Sequence, residues 1–107
     1  MELSTYIEGK IKEGELLQDQ YRGEGKHLKS HFWKGFTDAF KTLKKEPKTY
    51  KHEESAHNYV RKWQSTADNI IKDKRTPQHT NYYWEGYKFA LDQFKSELKT
   101  KHKLAFA

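Results

Sequence analysis

His27 and His31, four residues apart, are the pair in this chain whose spacing most resembles a ligand set. On a helix such a pair faces one side and could grip Zn²⁺ or Ni²⁺, with Glu24 supplying an oxygen. A zinc-protease helix would also carry a glutamate directly after the first histidine, and Leu28 stands there instead. Two exposed histidines near a helix start explain the pair without an ion, so no metal is assigned. His52 and His57 are five apart and face different sides.

The other routes to chemistry lack their parts. The chain has no cysteine, no Gly-x-Ser-x-Gly elbow and no supported Ser/His/Asp set. Neither phosphate-loop pattern occurs, and Gly23-Glu24-Gly25 follows no strand. Glu53 and Glu54 fall in the first turn of an expected helix, where the helix dipole favours acids. Asp68, Asp73, Asp92 and Glu97 fall on polar faces. The expectation is a non-catalytic chain with no cofactor.

Charge offers a second kind of chemistry. Net charge is +6, with 3 basic and 6 acidic groups in residues 1–25 and 18 basic and 9 acidic groups after them. Two lysine runs stand out. Lys41, Lys44, Lys45, Lys48 and Lys51 finish one expected helix, and Lys95, Lys99, Lys101 and Lys103 finish another. In an up-down-up-down bundle both runs share a pole that could meet phosphates or another anion. The same lysines also suit helix C-termini and solubility. Lysines outnumber arginines 18 to 3, which speaks against base-specific readout.

These residues need a frame, and 107 residues allow one domain, 1–107. Sixteen aromatics (3 Trp, 7 Tyr, 6 Phe) let a small core form from few side chains. Without cysteine such a core holds by packing, as in a reducing cytoplasm. No window reaches the ~18 apolar residues of a membrane span.

Four segments show helical period. The first, Leu3 to Tyr21, repeats Leu3, Ile7 and Ile11, and Thr5 to Glu8 reads as a capping box. Gly9 and Gly14 weaken it, which leaves a hairpin turning at Glu13-Gly14 as the alternative. The second runs from Lys26 or Ser30 to Lys45 on the seam Trp33, Phe36, Phe40, Leu43, and Pro47 ends it. The third spans Glu53 to Asp73, with Tyr59, Val60, Trp63, Ala67 and Ile70 on its stripe. The fourth spans Asn81 to Lys101, capped by Thr80 or Asn81, on the seam Trp84, Tyr87, Leu91, Phe94, Leu98.

The second and fourth segments carry the same text. Phe32-Trp33-Lys34-Gly35-Phe36-Thr37-Asp38-Ala39-Phe40 aligns with Tyr83-Trp84-Glu85-Gly86-Tyr87-Lys88-Phe89-Ala90-Leu91 at an offset of 51. The first and third match more loosely at 53, with Gly14 over Ala67. This predicts an all-α bundle of about four helices built as a tandem duplication of a helical hairpin, with units near 3–46 and 54–101. Gly35-x-x-x-Ala39 and Gly86-x-x-x-Ala90 place small residues one turn apart, so helices two and four should touch there, or touch a dimer mate.

The pattern aromatic-x-Gly-aromatic-x-x-Ala-hydrophobic, in a short Lys/Glu/Tyr-rich chain, resembles small accessory and counter-defence proteins of phages and mobile elements of low-GC Gram-positive bacteria. The resemblance covers Phe32–Leu43 and Tyr83–Phe94. It implies a cytoplasmic, non-catalytic inhibitor that binds a host protein or nucleoprotein complex, such as a defence nuclease in the anti-CRISPR manner. Aromatics off the core stripes are the expected anchors: Tyr21, Tyr50, Tyr82 and Phe106. Tyr83 and Trp84 fall on the apolar stripe and are expected in the core. Two alternatives use the lysines, as a non-specific nucleic-acid binder or as a sponge for a small anionic signal. The oligomer is a monomer or a homodimer.

Overall fold

The structure, a computed structural model, describes residues 3–46 and 53–101. They form four helices: α1 Leu3–Gly23, α2 His27–Lys45, α3 Glu53–Lys72 and α4 Gln78–Lys101. No strand occurs among the described residues. The fold is a small all-α bundle.

Helix α1 runs unbroken through Glu13 and Gly14, which rules out the hairpin alternative. The expected capping box is also absent. The helix has begun by Leu3, so Thr5 already lies in its first turn. At the other end the chain reverses over Glu24-Gly25-Lys26. Gly25 adopts φ +76°, a left-handed conformation that suits glycine after a helix end. The amides of Glu24 and Lys26 reach back to the carbonyls of Gln20 and Tyr21.

Helix α4 starts earlier than its cap residues suggest. Thr80 and Asn81 both donate backbone N–H groups to the Pro77 carbonyl, so they sit in the first turn and cap nothing. Proline fits just outside that turn because its ring fixes a helical φ and the helix asks no N–H of it. Helix α3 ends at Lys72, where the Thr76 hydroxyl donates to the Ile70 carbonyl at 2.8 Å.

Each hairpin is antiparallel. In the first, Ser30 Oγ donates to the Gln18 carbonyl and Glu8 faces Lys44. In the second, Lys88 pairs with Asp68 and Gln64 donates to Asp92. Helices α2 and α4 join the hairpins. Their early turns meet at the His31 and His79 rings, and Tyr6 packs on Phe40 while donating to the Gln93 carbonyl, so the two helices run in the same sense.

At the crossing a methyl group on Gly35 would overlap the backbone carbonyl of Tyr83. One on Gly86 would overlap that of Phe32. Phe32 and Tyr83 are equivalent at the offset of 51, so the contact is reciprocal and relates the hairpins by a pseudo-two-fold axis. Around it lies one core, in which Phe36, Phe40, Leu43, Ala56, Val60, Leu91, Phe94 and Leu98 are fully or nearly fully buried. Burying an aliphatic or aromatic side chain contributes about 1.5–3 kcal/mol, so these few residues supply most of the apolar drive.

Candidate interaction surface

The turn between α1 and α2 gathers aromatic and cationic groups that are far apart in sequence. Tyr21 is half-buried near the end of α1, with the ammonium groups of Lys26 and Lys29 at 5.8 and 5.3 Å from its ring centroid. Attraction of a cation to an aromatic face orders both partners. Lys26, His27, Leu28 and Lys29 then line a shallow groove closed on its far side by Tyr82 of α4. Tyr82 remains 37 % exposed. Lys26 and Lys29 thus share ring contacts with Tyr21 and a groove with Tyr82. Tyr50 and Phe106 lie outside the described residues.

The lysine runs are placed differently from one another. Lys41 and Lys44 of α2 face the acidic helix α1, pairing with Glu15 at 3.6 Å and Glu8 at 3.5 Å. Exposed pairs like these are worth little, yet they lower the positive potential of that end of α2. Lys45 is exposed beside Lys41. Lys95 of α4 lines a groove against α3, with Arg61, Gln64 and Lys72 nearby. Lys99 is exposed on the last turns of α4. Lys48, Lys51 and Lys103 lie outside the described residues, and so does the side chain of Lys101.

Among the described residues no group of three or more His, Cys, Asp or Glu side chains assembles into a metal site. His31 faces His79, with ring centroids 5.2 Å apart. Burial holds its pKa below the usual histidine value, helped by the neighbouring His79, Lys34 and His27.

Two sets of residues escape the sequence argument. Leu16 and Phe89 are large apolar side chains left exposed, at 69 % and 39 %. More telling, Tyr83 and Trp84 are only half-buried, and so is Trp63. The apolar stripe correctly turns these residues inward. It does not report how far the neighbouring helix covers them. Tyr83 donates to the Asp38 carboxylate at 2.7 Å, and burial raises its pKa well above the usual phenol value, with Asp38 adding to the effect.

No protein-family model matches this chain, and no match was found among curated proteins or solved structures. No helix among the described residues is long and apolar enough to cross a membrane.

Proposed function

We propose that this chain is a non-catalytic binding module, encoded by a phage or mobile element and acting in the cytoplasm, that occupies the surface of a host protein or nucleoprotein complex and so inhibits or redirects it. The observation that supports this reading is the convergence of Tyr21 and Tyr82 around Lys26 and Lys29. Tyrosine carries a large apolar body and a polar tip at low side-chain entropy, which suits it to anchor an interface. Rigid helices hold the two anchors in place, and the lysines beside them favour an acidic counter-surface. A defence nuclease is one such target.

The test is a cleavage assay with RNA-guided and restriction nucleases of Gram-positive hosts, in the presence of the wild-type chain or of Tyr82→Ala combined with Lys29→Glu. The expected result is inhibition by the wild type that the double variant weakens by about tenfold or more, equal to about 1.4 kcal/mol of binding. Binding to a plain duplex of roughly 30 base pairs is measured alongside, across about 50–200 mM salt. Steeply salt-dependent duplex binding, abolished by charge reversal at Lys44, Lys45 and Lys99 but indifferent to Tyr82→Ala, would overturn the proposal in favour of a nucleic-acid binder. The pairing of Lys44 with the Glu8 carboxylate lowers the positive potential at the end of α2 and weighs against that second reading.

A further inference from the structure

The pseudo-two-fold axis creates two equivalent junctions where α2 and α4 cross, and the chain has treated them differently. At the first junction Phe32 meets Phe89, with ring centroids 5.8 Å apart, and Trp33 and Phe36 complete an all-aromatic cluster. This is what packing alone asks for. At the second junction the equivalent positions are Tyr83 and Asp38, joined by a hydrogen bond, with Trp84 and Tyr87 beside them. The next turn of α2 adds Lys41, Thr42 and Lys45, where α4 has Asp92, Gln93 and Ser96. Helix α3 contributes Trp63, whose position in α1 is held by Lys10.

The result is an open groove of about 340 Å³ with three kinds of lining. One wall is aromatic. Trp63 and Trp84 lie nearly parallel, 12° apart with centroids at 6.4 Å, and both are half-buried, so ring surface remains open to the groove. The floor is polar, with the Asp38 carboxylate accepting from Tyr83 and the Thr42 hydroxyl beside it. The rim is cationic, carrying Lys41 and Lys45, and Lys62 sits 5.3 Å from the Trp63 ring. Lys41 also reaches Glu15 at 3.6 Å, an exposed contact that an incoming phosphate can replace.

The geometry points to this groove as a binding site for one nucleotide unit, its base on the Trp63–Trp84 wall and its phosphate on Lys41 and Lys45. Stacking on tryptophan serves any base, because every base has a π-face. Asp38 can accept a hydrogen bond from an exocyclic amine or a ring N–H at the base edge. Lysine binds phosphate as a point charge without demanding a fixed geometry. Such a ligand could be a free nucleotide, which would make the chain a sponge for a small anionic signal, or one residue of a single strand. The site stands apart from the Tyr21–Tyr82 surface, and neither depends on the other.

Tryptophan fluorescence and calorimetry with AMP, ATP, adenosine, tripolyphosphate and a thymidine decamer test it. ATP should quench the fluorescence, and Lys41→Gln with Lys45→Gln should weaken ATP by about tenfold or more at unchanged helicity. Trp63→Leu should weaken ATP and adenosine alike. Asp92→Asn, at the equivalent of Lys41, should change nothing. A decamer that binds more than about tenfold tighter than AMP identifies strand as the source, and the converse identifies free nucleotide. Either outcome supports the groove. Absence of binding by both AMP and the decamer at millimolar concentration overturns it. So does tripolyphosphate binding as tightly as ATP and surviving Trp63→Leu, because that describes a cation patch without a base site.

Discussion

The two halves of this chain share a plan and differ in how tightly they close. In the first half, Gly14 of α1 lies against Thr37 and Phe36, so close that a methyl group there would overlap the Thr37 hydroxyl. In the second half the matching residue is Ala67, which is fully buried. Its partner helix offers Lys88 and Tyr87 where α2 has Thr37 and Phe36. The glycine lets α1 seat deeply on α2, while α3 makes fewer close backbone approaches to α4. Trp63 and Trp84 are half-buried, as is Trp33 at the position equivalent to Trp84. The two hairpins share one plan, and the glycine at position 14 goes with the closer packing of the first helix pair.

What the halves have in common is also where they are most fragile. Gly35→Ala or Gly86→Ala should destabilise the fold by about 3 kcal/mol, since overpacking against a backbone carbonyl outweighs the ~1 kcal/mol helix-propensity gain of alanine. Urea denaturation measures this, and a neutral result would mean the crossing can slide apart freely. Gly14→Ala attacks the difference between the halves and should cost about 1–2 kcal/mol, because the buried Thr37 side chain must yield. Thr37 is held by its own bond to the Trp33 carbonyl at 2.7 Å.

Tyr83→Phe makes the second junction more like the first. Phe32 shows that a ring without a hydroxyl fits the equivalent place, so the loss should be about 1.5 kcal/mol, the low end for one hydrogen bond to a charged acceptor. Gly9→Ala serves as the opposite-sign control. Nothing lies within 4 Å of the added methyl, and the helix should gain roughly 0.5–1 kcal/mol.

The smallest effect is electrostatic. Because folding holds the His31 pKa below its unfolded value, the unfolded chain takes up more protons as pH falls through the histidine range. Stability should therefore decline from about pH 7.5 to 5.5, and His31→Gln should flatten that decline. Thermal melts at both pH values decide it, and an identical slope in the variant would remove His31 as the cause. The Tyr6 phenol, pushed up to about 12 mainly by burial and then by Glu97 and Glu13, stays neutral throughout that range.

Much of the architecture is legible in the amino-acid sequence. The seam Trp33, Phe36, Phe40, Leu43 and its copy Trp84, Tyr87, Leu91, Phe94, Leu98 carry their period openly, because burial on one helix face demands it. A glycine that recurs 51 residues on points to a close approach, and the structure sets each one against the other hairpin's carbonyl. Gly14 looks like a liability in the sequence, which reports the helix penalty of glycine and hides the neighbour that needs the space. The caps failed for a related reason. Thr5, Thr80 and Asn81 are able caps, but helix starts move by a turn when packing or a proline sets them elsewhere. The placing of Tyr82 beside Lys26 and Lys29 has no local signal, because it depends on how α4 crosses the α1–α2 turn.

Because residue 35 meets residue 83 while residue 86 meets residue 32, each hairpin carries half of a self-complementary interface. The chain has the geometry of a homodimer whose two copies are joined end to end. Splicing replaces a concentration-dependent encounter with an effective concentration on the order of millimolar, so assembly no longer depends on how much protein is made. It also releases the two copies from identity. A true homodimer could not put Phe89 on one side of its axis and Asp38 on the other, and a spliced one can.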